Sequence, residues 1–246
     1  MDVIKHSEWA DTKFTLHLLS QILGKIKLET AQQEPQWAHV TLAITPNGFT
    51  TGLLFYEDQA FQVDLDIYES RIFINVEGNV QAVPIETAKP IKTYFKEIFE
   101  ALASKNIQLG INPKPQEMPY KTNLNEDDTP LTFNWEQAIR GLKLFHFAAV
   151  AQLKFIGPLR ARKMKPALFW GTFDVSSLVL PGIREPHPED KVIQNPYSMN
   201  ISSNMDFGLA MTRWMCQHFS SCRIPSSTKN SIASAWSRKR RILKLR

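Results

Sequence analysis

Three polar side chains recur at four-residue intervals near the start of the chain: His17, Gln21 and Lys25. On a helix these positions form one stripe, and Gly24 beside them permits close approach of a neighbouring group. A histidine in such a stripe can act as a general acid or base, and a lysine can anchor an anion. The same spacing is also typical of the solvated face of an amphipathic helix, or of a histidine whose hydrogen bond orients the next layer. Periodicity alone favours this structural interpretation.

A second candidate site combines two segments that are distant in sequence. Trp37 and His39 are two residues apart, and Trp170, Thr172 and Asp174 follow the same spacing. In strands, residues at this spacing share a face. If the two strands were neighbours, Asp174 could fix the tautomer of the His39 imidazole. A lone histidine or aspartate at a strand end is, however, more often structural.

Other acidic groups have simpler interpretations. Asp64 and Asp66 alternate with apolar residues, as expected of a strand with one wet face. The run 126–128, Glu-Asp-Asp, is interpreted as a solvated loop or the approach to a helix, because it lacks calcium-loop spacing. Cys216 and Cys222 match no zinc pattern. We therefore predict no metal site and no cofactor.

Catalytic signatures of the common enzyme classes are missing from the sequence. It contains no G-x-S-x-G elbow, no H-E-x-x-H zinc motif, no Walker A loop and no G-x-G-x-x-G fingerprint. Residues 1–198 contain no cysteine, so a thiol nucleophile is excluded there.

Periodicity and turn residues place the elements that must position these side chains. Helices are predicted from an N-cap at Asp11 to Leu28, after Pro90, and from Asn134 to Leu153. Runs rich in β-formers, separated by turn residues such as Asn47-Gly48 and Gly78-Asn79, are Ala38–Thr45, Phe49–Phe55, Phe61–Tyr68, Ile72–Val76 and Val80–Ile85. The segment Ala167–Leu180 is predicted to form one or two further strands. The order of elements predicts an α+β fold, with an antiparallel sheet of about five or more strands and roughly three helices packed mainly on one face.

The positive charge of the chain is concentrated at its end. The formal net charge is +5, yet residues 199–246 hold nine Lys or Arg against one acidic residue, whereas residues 1–198 hold 20 basic and 23 acidic residues. A body with a net charge of −3 does not favour binding to a phosphate backbone. Nucleic acid is therefore not an expected partner.

Hydropathy and cysteine content bear on the compartment. No apolar run approaches the roughly 18 to 20 residues that span a bilayer, and the polar N-terminus lacks the apolar core of a secretory signal. The scarcity of cysteine agrees with a reducing environment. We therefore predict a soluble cytoplasmic protein without a membrane partner.

The opening motif W-x-D-T-x-x-x-L-H-x-x-x-Q-I-x-G-K-I-x-L, which runs from Trp9 to Leu28, and the segment Phe169–Asp174 (FWGTFD) resemble a bacterial family that is known only as a domain of unknown function. The resemblance covers roughly residues 8–198. This chain departs from the family pattern between residues 157 and 166 and lacks the histidine that usually precedes Phe-Trp. Because the family has no established activity, the resemblance implies a grouping and no function.

Beyond Ser198 the family pattern breaks off. If the codons of Ser198–Asn200 are read from their third base, in a shifted reading frame, they can encode the family's His-Glu. In the same frame, the codons from Met205 onward can encode its Gly-Phe-Trp-Pro-Gly. We interpret this agreement as a single-base slip near Ser198. The chain would then be one α+β domain, residues 1–198, followed by a non-native or disordered basic tail, residues 199–246. The alternative is a genuine lineage-specific basic extension.

Two functions remain open at this stage. The first is a module that binds a small molecule or a protein, with candidate ligand-binding residues Trp9, Gln21, Lys25, Trp37 and Trp170. The alternative is a hydrolase or transferase that uses His17 or His39 with Asp174. Convergence of those three residues in one pocket would favour the enzyme, and their dispersal would favour the binding module.

Overall fold

The computed structural model describes residues 4–180. The predicted boundary at Ser198, the basic tail and both cysteines lie outside these described residues. The helices are α1 (His6–Thr30), a 3₁₀ helix (Pro35–Val40), α2 (Ile91–Ala103) and α3 (Trp135–Ile156). The strands are β1 (Leu42–Ile44), β2 (Gly48–Thr50), β3 (Leu54–Tyr56), β4 (Gln59–Asp66), β5 (Arg71–Val76), β6 (Asn79–Pro84), β7 (Arg162–Phe169) and β8 (Asp174–Leu180).

The strands form one antiparallel sheet of eight strands within the described range. Their order is β6-β5-β4-β2-β1-β7-β8, and β3 pairs with β4 beside this path. Helix α1 packs against both α2 and α3, and each of the three helices also contacts strands of the sheet. The predicted α+β class, with three helices and an antiparallel sheet, is therefore confirmed.

The core lies between α1 and the sheet. Leu19, Ile22, Leu23 and Ile26 of α1 are all fully buried, as their helical spacing predicts. Strand β4 offers its buried face, with Val63 and Leu65 inside and Asp64 half-buried on the other side. Each large aliphatic side chain buried in this way contributes about 1.5–3 kcal/mol to the free energy of unfolding.

Two predicted boundaries in the N-terminal half are wrong. Helix α1 starts at His6, so Asp11 lies inside the helix and is not its N-cap. The backbone of Trp9 (φ −130°, ψ 15°) breaks the first turn from the rest of the helix. Residues 38–45 are mostly not a strand, since Pro35 begins a 3₁₀ helix that runs to Val40.

Two strand predictions also need correction. The run Phe49–Phe55 is divided into β2 and β3, which both pair antiparallel with β4. Gly52, with a positive φ of 70°, lies in the irregular stretch that separates them. The segment Ala167–Leu180, predicted as one or two strands, is two strands joined by a turn, and only its start is wrong, since the first strand begins earlier, at Arg162.

The turn between β7 and β8 contacts α1 through an aromatic ring that packs on a glycine. The Trp170 ring lies against Gly24, so that a Cβ atom at Gly24 would overlap the ring. Trp170 is 3% exposed, and its indole Nε1 donates to the Val40 carbonyl at 2.8 Å. In the same way, a Cβ atom at Gly141 of α3 would overlap the ring of Trp9. The close approach anticipated at Gly24 is therefore present.

This contact predicts that Gly24→Ala lowers the free energy of unfolding. Alanine favours a helix over glycine by about 1 kcal/mol, but the added methyl group must displace the Trp170 ring. We expect a net loss of about 1–3 kcal/mol in chemical denaturation. Gly110→Ala is the matched control, because a Cβ at Gly110 meets nothing within 4 Å. Equal or higher stability of Gly24→Ala would contradict the contact.

Candidate functional site

A cleft of about 370 Å³ opens between α1, the connector from α2 to α3, and the β7–β8 turn. Its lining combines cationic, acidic, aromatic and apolar side chains: His6, Ala10, Lys13, Phe14, His17, Glu117, Met118, Pro119, Tyr120 and Thr172. One face of α1, one stretch of connector and one turn residue therefore meet at the same opening.

The polar stripe of α1 crosses from this cleft into the protein interior. It begins one turn before the predicted stripe, at Lys13, and continues through His17 to Gln21 and Lys25. Gln21 is fully buried and Lys25 is 4% exposed. The solvated-face interpretation of this stripe is therefore wrong. The other interpretation, in which hydrogen bonds from the stripe orient the next layer, matches its contacts.

The buried amide of Gln21 holds the connector in place. Its Nε2 donates to the Gln116 carbonyl at 2.8 Å, and the Gln116 backbone N–H donates to its Oε1 at 3.1 Å. The amide and the peptide thus satisfy each other in both directions. Glu117, the next residue, is placed at the cleft by this pair.

His17 joins α1 to the β7–β8 turn. Its Nε2 lies 3.0 Å from the Gly171 carbonyl oxygen, which can only accept, so Nε2 carries the hydrogen. The Gln21 amide nitrogen, 3.4 Å from the same ring atom, is then a second donor and forms no hydrogen bond with it. The imidazole stacks on Phe173, with centroids 5.1 Å apart.

The second ring nitrogen of His17, Nδ1, is a hydrogen-bond acceptor on a side chain that lines the cleft. Burial lowers the pKa of the imidazole, and the positive charge of Lys13 lowers it further, against an opposing effect of the Gly171 and Trp170 carbonyls. The ring is therefore neutral near pH 7 and its Nδ1 is unprotonated. Within residues 4–180, no side chain or backbone group bonds to Nδ1.

Lys13 brings a half-buried positive charge to the same wall. Burial lowers the pKa of its ammonium, and the negative charge of Asp174 opposes that shift. No ion pair involves Lys13 in the described part of the chain. Asp174 is instead bonded to two hydroxyls: Oδ1 accepts from Thr172 Oγ1, and Oδ2 accepts from Ser176 Oγ at 2.6 Å.

Glu117 brings a carboxylate to the cleft from the connector. Its backbone has a φ of 56°, in the left-handed region that costs a residue other than glycine about 1 kcal/mol or more. Its carboxylate lies against Gly171, where a Cβ atom would overlap Oε2. As for Lys13, no ion pair to Glu117 exists among the residues that the structure describes.

Aromatic rings close one side of the cleft. Phe14 of α1 and Tyr120 of the connector meet edge to face, with centroids 5.3 Å apart. The Tyr120 hydroxyl donates to the Asp127 carboxylate, and burial together with this bond raises the tyrosine pKa. Asp127 is 3% exposed and also accepts from the Thr129 N–H at 2.9 Å. The predicted solvated loop at 126–128 is therefore wrong for Asp127, whereas its two neighbours are exposed.

The second predicted site does not form as proposed. His39 lies in the 3₁₀ helix, where its Nδ1 accepts from the Glu34 N–H at 3.1 Å and its ring stacks on Trp37 at 5.6 Å. Trp170 and Thr172 belong to a turn, and Asp174 opens β8. Neither set of residues therefore shares a strand face. No hydrogen bond joins His39 to Asp174 within the described range.

The remaining candidates from the sequence do not line the cleft. Trp9 and Trp170 are buried, Lys25 lies with its Nζ 5.5 Å from the Trp170 ring centroid, and Trp37 is 40% exposed in the 3₁₀ helix. Of all the predicted candidates, His17 alone lines the cleft described above. Among residues 4–180, no group of three or more His, Cys, Asp or Glu side chains is arranged to hold a metal ion.

The sequence carried one overlooked signal for this site. Lys13 precedes His17 by four residues, so the stripe that was recognised at His17, Gln21 and Lys25 extends one step toward the N-terminus. No comparable signal existed for Glu117 and Tyr120, which lie in a proline-rich connector without periodicity.

The environment of His17 predicts a specific pH dependence of stability. Its pKa is lower in the folded protein than in the unfolded chain, where it is about 6.5, so the unfolded state takes up the proton first as the pH falls. The contribution to stability is complete above about pH 6.5 and is lost progressively below it. His17→Gln should make the free energy of unfolding less sensitive to pH between about pH 7 and pH 5.

NMR titration of the imidazole checks the cause of this shift. Lys13→Met should raise the His17 pKa, because it removes a nearby positive charge. Lys143→Met, which removes an exposed charge on α3, is the control and should leave it unchanged. A His17 pKa above that of the unfolded chain would contradict the burial of this ring.

No helix among the described residues is long and apolar enough to cross a membrane. Neither a curated protein nor a solved structure matches the chain. A family model does match it, over residues 2–228, and is described as a family of unknown function, DUF5996. The matched range includes every cleft residue and extends past Ser198. The chain belongs to the family of unknown function DUF5996.

Proposed function

We propose that this protein binds a small molecule in the cleft between α1, the connector and the β7–β8 turn. The observation that carries the proposal is Lys13, a half-buried cation without an ion pair in the described chain, at an opening that also presents the unbonded Nδ1 of His17. A buried charge is costly unless something compensates it. A bound ligand that carries polar groups would supply that compensation.

The alternative, a hydrolase or transferase with a His/Asp pair, has weaker support. A general base works best with a pKa near the working pH, whereas burial and Lys13 lower the pKa of His17. The carboxylate of Asp174 is bonded to Thr172 and Ser176, so it does not orient an imidazole. We therefore prefer binding to catalysis.

The setting that we propose is the cytoplasm of a bacterium, with a small molecule as the first partner to seek. The absence of cysteine from residues 1–198 supports a reducing compartment, and the bacterial source is implied by the sequence resemblance. The net charge of −3 on those residues argues against nucleic acid as the partner.

A cleft-filling substitution tests the proposal. A panel of amino acids, carboxylic acids, sugar phosphates, nucleosides and neutral polyols would be screened by the rise in melting temperature that each compound causes. Ala10→Trp places an indole in the cleft wall and should abolish the shift caused by any compound that binds there. Ala103→Trp, at an exposed position on α2, is the matched control and should keep the shift.

Two results would overturn this proposal. One is that no compound in the panel raises the melting temperature of the wild-type protein. The other is that Ala10→Trp and Ala103→Trp respond equally to every compound that does. Circular dichroism of both variants shows whether they are folded.

A further inference from the structure

The cleft presents one positive and one negative side chain that do not neutralise each other. Lys13 projects from α1 and Glu117 from the connector, and both line the same space. No ion pair joins them, and neither is paired with another described side chain. Opposite charges that share a cleft without pairing suit a ligand that carries both charges itself.

The framework determines where the Glu117 carboxylate lies. The position of Glu117 is set by the Gln21–Gln116 amide pair, by its left-handed backbone and by the fit of its carboxylate against Gly171. Lys13 is carried by α1, where burial lowers the pKa of its ammonium and the negative charge of Asp174 opposes that shift. Backbone strain of this kind is maintained where the surrounding structure enforces it, often at ligand clamps.

The remaining surfaces suit a compact ligand with an apolar part. At about 370 Å³ the cleft is at the small end of the range for small-molecule sites, which is about 300–1,000 Å³. Phe14 and Tyr120 meet at its aromatic side, and Met118 adds a flexible apolar surface. The Nδ1 of His17 offers an acceptor that an ammonium or hydroxyl group can use.

We propose that the ligand is a small zwitterion of the amino acid class. Its carboxylate binds Lys13, its ammonium group binds Glu117 and the Nδ1 of His17, and its side chain packs on Phe14 and Met118. This inference rests on the proposed function, since it names the chemistry of a ligand in the same cleft.

Blocked derivatives test each charge separately. The twenty free L-amino acids are screened by melting temperature, and the best binder is titrated by calorimetry beside its carboxamide, which lacks the carboxylate, and its N-acetyl form, which lacks the ammonium. Each blocked form should bind about 10- to 100-fold more weakly, as expected for the loss of one charged hydrogen bond.

Variants that remove one protein charge should reproduce the effect of the derivative that lacks the opposite ligand charge. Lys13→Met should weaken binding of the free amino acid about 10- to 100-fold and leave the affinity for the carboxamide nearly unchanged. Glu117→Gln should weaken binding of the free amino acid by a similar factor and leave the affinity for the N-acetyl form nearly unchanged. Lys143→Met and Glu69→Gln, which change exposed charges away from the cleft lining, are the controls and should bind like the wild type.

The outcomes separate this inference from the proposed function. The zwitterion proposal is overturned if the carboxamide or the N-acetyl form binds as tightly as the free amino acid. If no amino acid binds but another compound of the panel does so in a manner blocked by Ala10→Trp, the zwitterion fails and the small-molecule site stands. If nothing binds at all, both proposals fail.

Discussion

The cleft depends on the hydrogen-bonded pair between the Gln21 amide and the Gln116 peptide. The connector between α2 and α3 is rich in proline and has no helix or strand of its own over residues 104–129. It therefore cannot satisfy its backbone groups by regular pairing. A buried donor or acceptor left without a partner costs about 1–3 kcal/mol, so the two bonds from Gln21 fix which connector residue faces α1. Glu117 and Tyr120 follow from that register.

Three locally unfavourable features lie in or next to the cleft lining. Lys13 keeps a half-buried charge without an ion pair in the described chain, and Glu117 and Phe173 hold positive φ values of 56° and 59°. Each of these features lowers stability on its own. By contrast, the acidic residues of β4 are bonded conventionally, with Gln62 donating to Asp64 at 2.8 Å and 2.9 Å. Where sequences tolerate unfavourable local choices together, a functional constraint is the usual reason.

The amphipathic elements were predictable because their signals are local. The helical spacing of apolar residues located α1 and α3, and Asn134 caps α3 by accepting from the Gln137 N–H at 3.0 Å. The pairing of His39 with Asp174 failed because it assumed strands where the chain forms a 3₁₀ helix and a turn. The connector's part in the cleft was not predictable, since it depends on contacts between residues about a hundred positions apart, such as Gln21 and Gln116.

Leu168 and residues 157–166, where the sequence resemblance predicts departures from the family pattern, are not part of the cleft lining. Leu168 is fully buried in β7 and lies opposite Leu42 of β1 in the sheet register. Residues 157–166 follow the end of α3 and include the start of β7, where Lys163 Nζ donates to the carbonyls of Ile156 and Gly157 at 2.9 Å and 2.8 Å. An amine on the last carbonyls of a helix is a stabilising cap. These residues therefore determine how α3 ends and what fills the sheet, whereas Lys13, His17 and Glu117 line the cleft on which ligand binding would depend.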